Sequence, residues 1–175
     1  GRGLRFEISL LGRVEQDKDL KILNQCKPVV GDHLIFFDKF IEQCEYDEYI
    51  KKASVILGVF KVGYQDKYID EKYGTTKGSG VDAHAFSNSK ILIVNDDYPV
   101  DIEYKDATFF YNDLNSLSLL LSQLIQDESI KYSAQLSAIE CSKQYTLESI
   151  KSRLNSIKTA LNEADAVTKL KLVQE

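Results

Sequence analysis

Lys77, Ser79, Gly80 and Asp82 fall within a few residues of one another, in Glu71-Lys-Tyr-Gly-Thr-Thr-Lys77-Gly78-Ser79-Gly80-Val-Asp82. These types at this spacing suit the capture of a phosphorylated ligand. A loop rich in Gly, Ser and Thr that opens a helix offers free backbone N–H groups at a positive helix end, and both favour phosphate. Lys77 adds a mobile cation, Gly78 and Gly80 let the backbone come close, and Asp82 in the first helical turn can take ribose hydroxyls. Each residue also has a plainer reading. Lys77-Gly-Ser-Gly80 serves equally as a flexible turn capping a helix, Asp82 as a first-turn carboxylate, and Glu71 as one charge in a solvated loop. A second cationic pair, Arg13 and Lys18, follows an apolar run in Gly12-Arg13-Val14-Glu-Gln-Asp-Lys18. Taken alone, Arg13 reads as a surface cation near a strand end and Lys18 as a solvated one.

Other candidates read as structural. His84, on the helix after the loop, and His33, beside a strand start, are expected to be packed or capping. Asp17-Lys18-Asp19 has the form of a metal-binding DxD, but it begins a helix and reads as N-terminal helix charge. Asn95-Asp96-Asp97 precedes Pro99 and reads as a turn. Cys26, Cys44 and Cys141 are odd in number and widely spaced, which indicates neither a disulfide scaffold nor a zinc knuckle and fits a reducing compartment.

The elements that must position these residues alternate. Apolar runs at 4–11, 33–37, 55–60, 91–94 and 108–111 read as strands. Helices are expected at 17–25, ending by Pro28 and Gly31, at 46–53 and at 79–86, with Lys61–Lys77 as a long, tyrosine-rich connection. Tyr64, Tyr68 and Tyr73 in it can stack on a base or sugar. Beyond 112 the chain reads as helical, with a stripe Leu147, Ile150, Leu154, Ile157, Leu161 on the last helix. Strand–helix alternation implies right-handed crossovers and a parallel sheet covered on both faces, with ligands at the carboxyl ends of its strands. The expected fold class is α/β, a Rossmann-like parallel sheet with helices on both faces followed by C-terminal helices. Residues 1–145 form the binding domain, 146–163 a helix packing on it or toward a missing N-terminal half, and 164–175 a tail.

The net charge of −5 over 175 residues argues against a general nucleic-acid binder. No signal-peptide pattern is read at the start of the sequence and no run approaches the length of a membrane span. From the Gly1-Arg2-Gly3 start and the lack of methionine, a piece of a longer protein or a processed one is expected.

The order of these segments resembles the C-terminal donor-binding domain of GT-B-fold retaining glycosyltransferases of the family-4 type. That family opens the domain with a strand, then Gly-Arg-Leu, three residues, Lys-Gly and a helix; this chain has Gly12-Arg13-Val14, three residues and Lys18-Asp19. Glu71-Lys-Tyr-Gly74 is similar to the Glu-x-Phe-Gly segment whose glutamate contacts the donor sugar, with Asp70 a competitor for that role. Val81-Asp82-Ala83 is similar to Leu-Glu-Ala, whose glutamate binds ribose. Ten residues separate Glu71 from Asp82, more than in the family, and Ser87-Asn88-Ser89-Lys90 replaces its Gly-x-Pro. The resemblance implies catalytic roles for Arg13, Lys18 and Glu71, and donor binding by Gly12, Lys77, Gly78, Ser79, Gly80 and Asp82. It implies a nucleotide-diphospho-sugar donor, no metal, and an acceptor glycan or lipid-linked glycan bound by a missing N-terminal domain. Alone, the chain is expected to bind donor and to transfer sugar poorly. The implied setting is bacterial surface-polysaccharide synthesis in the cytoplasm, with the full enzyme compatible with peripheral association at the inner membrane face. A nucleotide-sugar epimerase of related fold and a non-catalytic α/β interaction module are the alternatives.

Overall fold

The computed structural model describes residues 6–65 and 68–173; for Tyr64 and residues 163–173 it describes the backbone alone. Leu4 and Arg5 of the first expected strand, and Gln174 and Glu175 of the expected tail, lie outside the described residues, as does the side chain of Tyr64. The chain is α/β: parallel strands flanked by helices, of a kind compatible with a Rossmann-like fold. Its elements run β1 (Ile8–Arg13), α1 (Asp17–Val30), β2 (Leu34–Phe37), α2 (Gln43–Lys52), β3 (Val55–Leu57), a hairpin of β4 (Gly63–Gln65) and β5 (Asp70–Lys72), α3 (Gly80–Asn88), β6 (Ile91–Asn95), β7 (Thr108–Tyr111), α4 (Leu114–Gln126), α5 (Glu128–Ser142) and α6 (Leu147–Val173).

The parallel strands form two separate ladders among the described residues. β1 pairs with β2, and β3, β6 and β7 pair in that order. β6 is the centre of the second ladder. Ile91-Leu-Ile-Val94 is apolar on both faces, the pattern of a parallel strand covered on both sides, and all four residues are fully buried. Leu92 and Val94 pack with Ala85 of α3, Ala138 of α5 and Tyr104. Ile93 packs the other way, with Tyr111 and with Leu117 and Leu124 of α4. Thus α3 and α5 cover one face and α4 the other.

The same division extends to the first ladder. Adjacent residues of a strand point to opposite faces. The Phe36 ring receives the Lys27 ammonium of α1 at 4.9 Å, and the Phe37 ring meets Tyr49 of α2 edge-on at 5.5 Å. So α1 and α2 lie on opposite faces of β1–β2. α2 joins α3 through a hydrogen bond between the Tyr46 hydroxyl and His84 Nε2 at 3.0 Å, and Lys90 Nζ donates to the Lys51 carbonyl at 2.7 Å. Right-handed crossovers on opposite faces step in opposite directions along a sheet. By that rule β3 lies on the β1 side of β2, an order of β2, β1, then β3, β6, β7 with the reversal between β1 and β3, while no strand pairing joins the two ladders among the described residues.

Local chemistry sets the helix starts. Ser79 caps α3, its hydroxyl accepting from Val81 N at 3.2 Å. Asp113 caps α4 in a reciprocal box with Ser116, accepting from Ser116 N at 2.7 Å. Asp127 caps α5 by accepting from Ser129 N at 2.9 Å. Several expectations shift. α1 continues to Val30 with Pro28 inside its last turn. The expected loop 61–77 contains the antiparallel hairpin. The backbone of α6 remains helical to Val173, through most of the expected tail. Its stripe Leu147, Ile150, Leu154, Ile157 and Leu161 is exposed throughout rather than packed on the domain; the helix is held near its base, where Arg153 pairs with Glu103 at 3.1 Å.

Candidate functional site

In an open parallel sheet a ligand crevice forms outside the strand carboxyl ends, where the order reverses. Here that point lies between β1 and β3, and two segments leave it: residues 14–16 after β1, and residues 58–79 after β3. The second begins on a clamped base. Gly58 N donates to the Ile93 carbonyl at 2.8 Å, and its own carbonyl accepts from the Tyr111 hydroxyl at 2.9 Å. A Cβ on Gly58 would meet Phe60 Cε1 at 2.8 Å and the Val81 and Val94 methyls at 3.2 Å, so only glycine fits without displacement.

Beyond Gly58 the chain forms the hairpin and folds onto an aromatic base. Phe60 sits 5.1 Å from the Tyr73 ring and 5.6 Å from Tyr98, and Tyr73 N donates to the carbonyl of buried Val62 at 2.9 Å. The turn that returns to α3 is tight. The Lys72 carbonyl accepts from Thr75 N and Thr76 N, and Gly74 N donates to the Lys77 carbonyl at 2.8 Å. Gly74 has φ +78°, the left-handed region that favours glycine, and a Cβ there would strike Pro99 at 2.9 Å.

This folding unites some of the expected site residues. Lys77 Nζ donates to Glu71 Oε2 at 2.9 Å and lies 5.3 Å from the Tyr73 ring centroid. The hydrogen bond and charge of Glu71 raise the Lys77 pKa above its ordinary value, so this ammonium stays charged. The Glu71 assignment therefore meets a counterion: in the unliganded chain its carboxylate is tied to Lys77. Asp70 stands beside it, exposed, in β5.

Asp82 is tied as well. The hydroxyl of Tyr98, itself 2% exposed, donates to Asp82 Oδ2 at 2.6 Å, and Oδ1 accepts from Ala83 N at 2.8 Å. Burial first, and the Asp82 hydrogen bond second, push the Tyr98 pKa up to about 12, so the phenol is a fixed donor at neutral pH. Ser79 caps α3 with Gly80 as its first residue; a Cβ on Gly78 would meet nothing within 4 Å, and one on Gly80 would come no closer than 3.7 Å, to the His84 ring.

The first loop stands apart. Arg13 ends β1 after an irregularity in register, where Leu10 pairs with Phe36 and Arg13 with Phe37, leaving Leu11 and Gly12 as the bulge. Its guanidinium bonds Glu15 at 2.9 Å within its own loop. Lys18 is an exposed residue of the first turn of α1, with Asp17 and Asp19 on either side of it. No polar contact joins Arg13 or Lys18 to Glu71, Lys77 or Asp82 in the described structure.

His84 is a packed residue hydrogen-bonded to Tyr46, His33 stacks on Phe6 at 5.4 Å, and Asn95–Tyr98 is a turn, with Asp97 N donating to Asn95 Oδ1 at 3.0 Å. One side chain that sequence reasoning passed over, Tyr98, proves central to the arrangement, while Tyr73, read as a ring for a base or sugar, packs on Phe60 and beside Lys77. The Tyr-Pro that follows Asn95-Asp-Asp, a large aromatic within a turn, is the one signal that could have pointed to Tyr98. A surface groove of about 440 Å3 lies elsewhere, between α5 and residues 102–106. Among the described residues no three His, Cys, Asp or Glu side chains gather into a metal-sized group, and no helix is long and apolar enough to cross a membrane. The chain matches no protein-family model, no curated protein and no solved structure.

Proposed function

We propose that this chain is the donor-binding half of a retaining glycosyltransferase, holding a nucleotide-diphospho-sugar at the strand ends between β1 and β3. The observation that carries the reading is the N-terminus of α3. It opens with the Ser79 cap at the point where the sheet order reverses, with Lys77 and Asp82 beside it. The α3 amides and Lys77 bind the diphosphate and stabilise the charge that develops as it leaves. Arg13 and Lys18 reach it from the other side, a dianionic ligand drawing Arg13 from its exposed partner Glu15. Glu71 takes sugar hydroxyls as Lys77 turns to phosphate. Asp82 accepts from ribose, its carboxylate oriented by Tyr98. Cationic side chains stand where other folds place a metal, as the resemblance implies. The acceptor and the second wall of the cleft come from elsewhere, so transfer by this chain alone is slow. A cytoplasmic setting follows from a nucleotide-sugar donor.

Calorimetric titration with UDP, GDP, ADP and dTDP, with and without magnesium, tests the reading. Saturable, magnesium-independent binding of one nucleotide is expected, abolished in the Arg13→Ala/Lys18→Ala and Lys77→Ala variants with folding intact by circular dichroism. Unchanged affinity in those variants refutes the site; binding of none by the protein with its flanking polypeptide refutes the function.

A further inference from the structure

Each of the two ladders ends, among the described residues, on a strand with one unpaired edge, β1 in the first and β3 in the second. Among the described residues β1 pairs with β2 alone and β3 with β6 alone. The reversal of crossover direction sets β1 and β3 toward each other. We infer that the position between them is a slot for one further parallel strand, supplied with a helix by polypeptide that runs into Phe6 from the N-terminal side.

Three observations carry this, and none depends on the sugar-donor reading. Both free edges belong to apolar parallel strands, whose unpaired N–H and C=O groups are a template for another strand. Strands of such sheets are normally covered on both faces, as β6 is. Here Ile8, Leu10 and Leu57 are 41%, 39% and 36% exposed, respectively.

The third observation is that these three residues share a face. Ile8 pairs with Leu34 and Leu10 with Phe36, the residue that meets α1. Leu57 pairs with Ile93, on the face covered by α4. The uncovered apolar strip therefore lies between α1 and α4. A strand in the slot joined to β1 by a right-handed crossover steps in the same direction as β1 to β2, so its helix must lie on the α1 face. The strip is bare where that helix would rest. A separate partner strand or a second copy of the chain would fill the slot with no need of a helix on this face, which is why the occupant is placed on the same polypeptide.

The probe is an extension fused ahead of Phe6: a Val/Ile strand of about five residues, a short loop, and an amphipathic helix of about twelve. Amide hydrogen exchange is read by NMR. The amides of β1 and β3 that point away from β2 and β6 are expected to slow by about a hundredfold or more on adding the extension, with a raised Tm. The same extension with two strand residues changed to Pro is expected to give neither effect. Leu10→Lys/Leu57→Lys, at positions already exposed, is expected to leave the 175-residue chain folded and to cancel the gain. Protection at neither edge overturns the inference, as does protection confined to the outer strands β2 and β7. Concentration-dependent protection of β1 and β3 in the unextended chain would make a second copy the occupant and overturn it equally.

Discussion

Tyr98→Phe isolates the bond that fixes Asp82. The phenol is 2% exposed and donates to Oδ2 at 2.6 Å. A hydrogen bond to a charged acceptor contributes about 1.5–3 kcal/mol. Asp82 is only half-buried, so water can replace the lost donor and the net cost falls to about 1–2 kcal/mol. At this chain length that lowers Tm by about 2–8 °C. The pH dependence supplies a second signature. Tyr98 has its pKa raised from 10.0 to about 12 in the folded chain, so the native state holds the phenolic proton more tightly than the unfolded state. The stabilisation is complete below pH 10 and is lost as pH rises toward 12. Urea denaturation of both proteins at 25 °C from pH 7 to 12 checks this. The wild-type advantage is expected to hold to about pH 10 and shrink above it. Equal stability at pH 7, or a gap that stays constant to pH 12, refutes the reasoning.

Gly58→Ala is expected to cost about 1–3 kcal/mol in chemical denaturation, because the new methyl meets Phe60 and the packed Val81 and Val94 methyls. Tyr104→Phe is expected to cost about 1–3 kcal/mol by the same measurement: its hydroxyl, on a fully buried ring, lies 2.7 Å from the Lys90 carbonyl and 3.1 Å from that of Ala85. Asp113→Ala removes the cap of α4 and is expected to lower helical content and Tm. The bonds from the Ser116 backbone hold the Asp113 carboxyl below its ordinary pKa, so in the wild type this contribution is present at neutral pH and fades as pH falls below about 4.

Much of the frame was legible because local signals and tertiary demand agree. Ile91–Val94 is apolar on both faces and became the central strand. Asp113 and Ser79 carry helix-start chemistry and became caps. The hairpin was not legible. Gly63-Tyr-Gln and Asp70-Glu-Lys have neither β-branched residues nor apolar alternation, so nothing in their pattern announces the pairing of Gly63 with Lys72 and Gln65 with Asp70. The division into two ladders was equally hidden, since apolar runs announce strands but not which edges meet. In the candidate site, the ordering of Lys77, Ser79, Gly80 and Asp82 could be read from spacing. The Lys77–Glu71 pair spans a turn that spacing alone does not define, and the Tyr98–Asp82 bond joins residues sixteen apart in sequence. The expected approach of Arg13 and Lys18 to that group rested on order alone, and Arg13 turns instead to the nearest carboxylate.

The last helix has a mechanical consequence. Its 27 residues at 1.5 Å each make a rod of about 40 Å, roughly the width of a small domain. Arg153 grips it within its first two turns, to Glu103 and to the Gln144 carbonyl. A rod held near one end is a lever. A tilt of about ten degrees at the Arg153 grip swings the far end by about 5 Å, over the roughly 30 Å that separate Arg153 from Val173. Whatever seats itself along Leu154, Ile157 and Leu161 is thereby geared to the short segment 102–107 between β6 and β7. A displacement at the helix tip arrives at the sheet reduced severalfold, and a small shift in the sheet leaves it magnified by the same ratio.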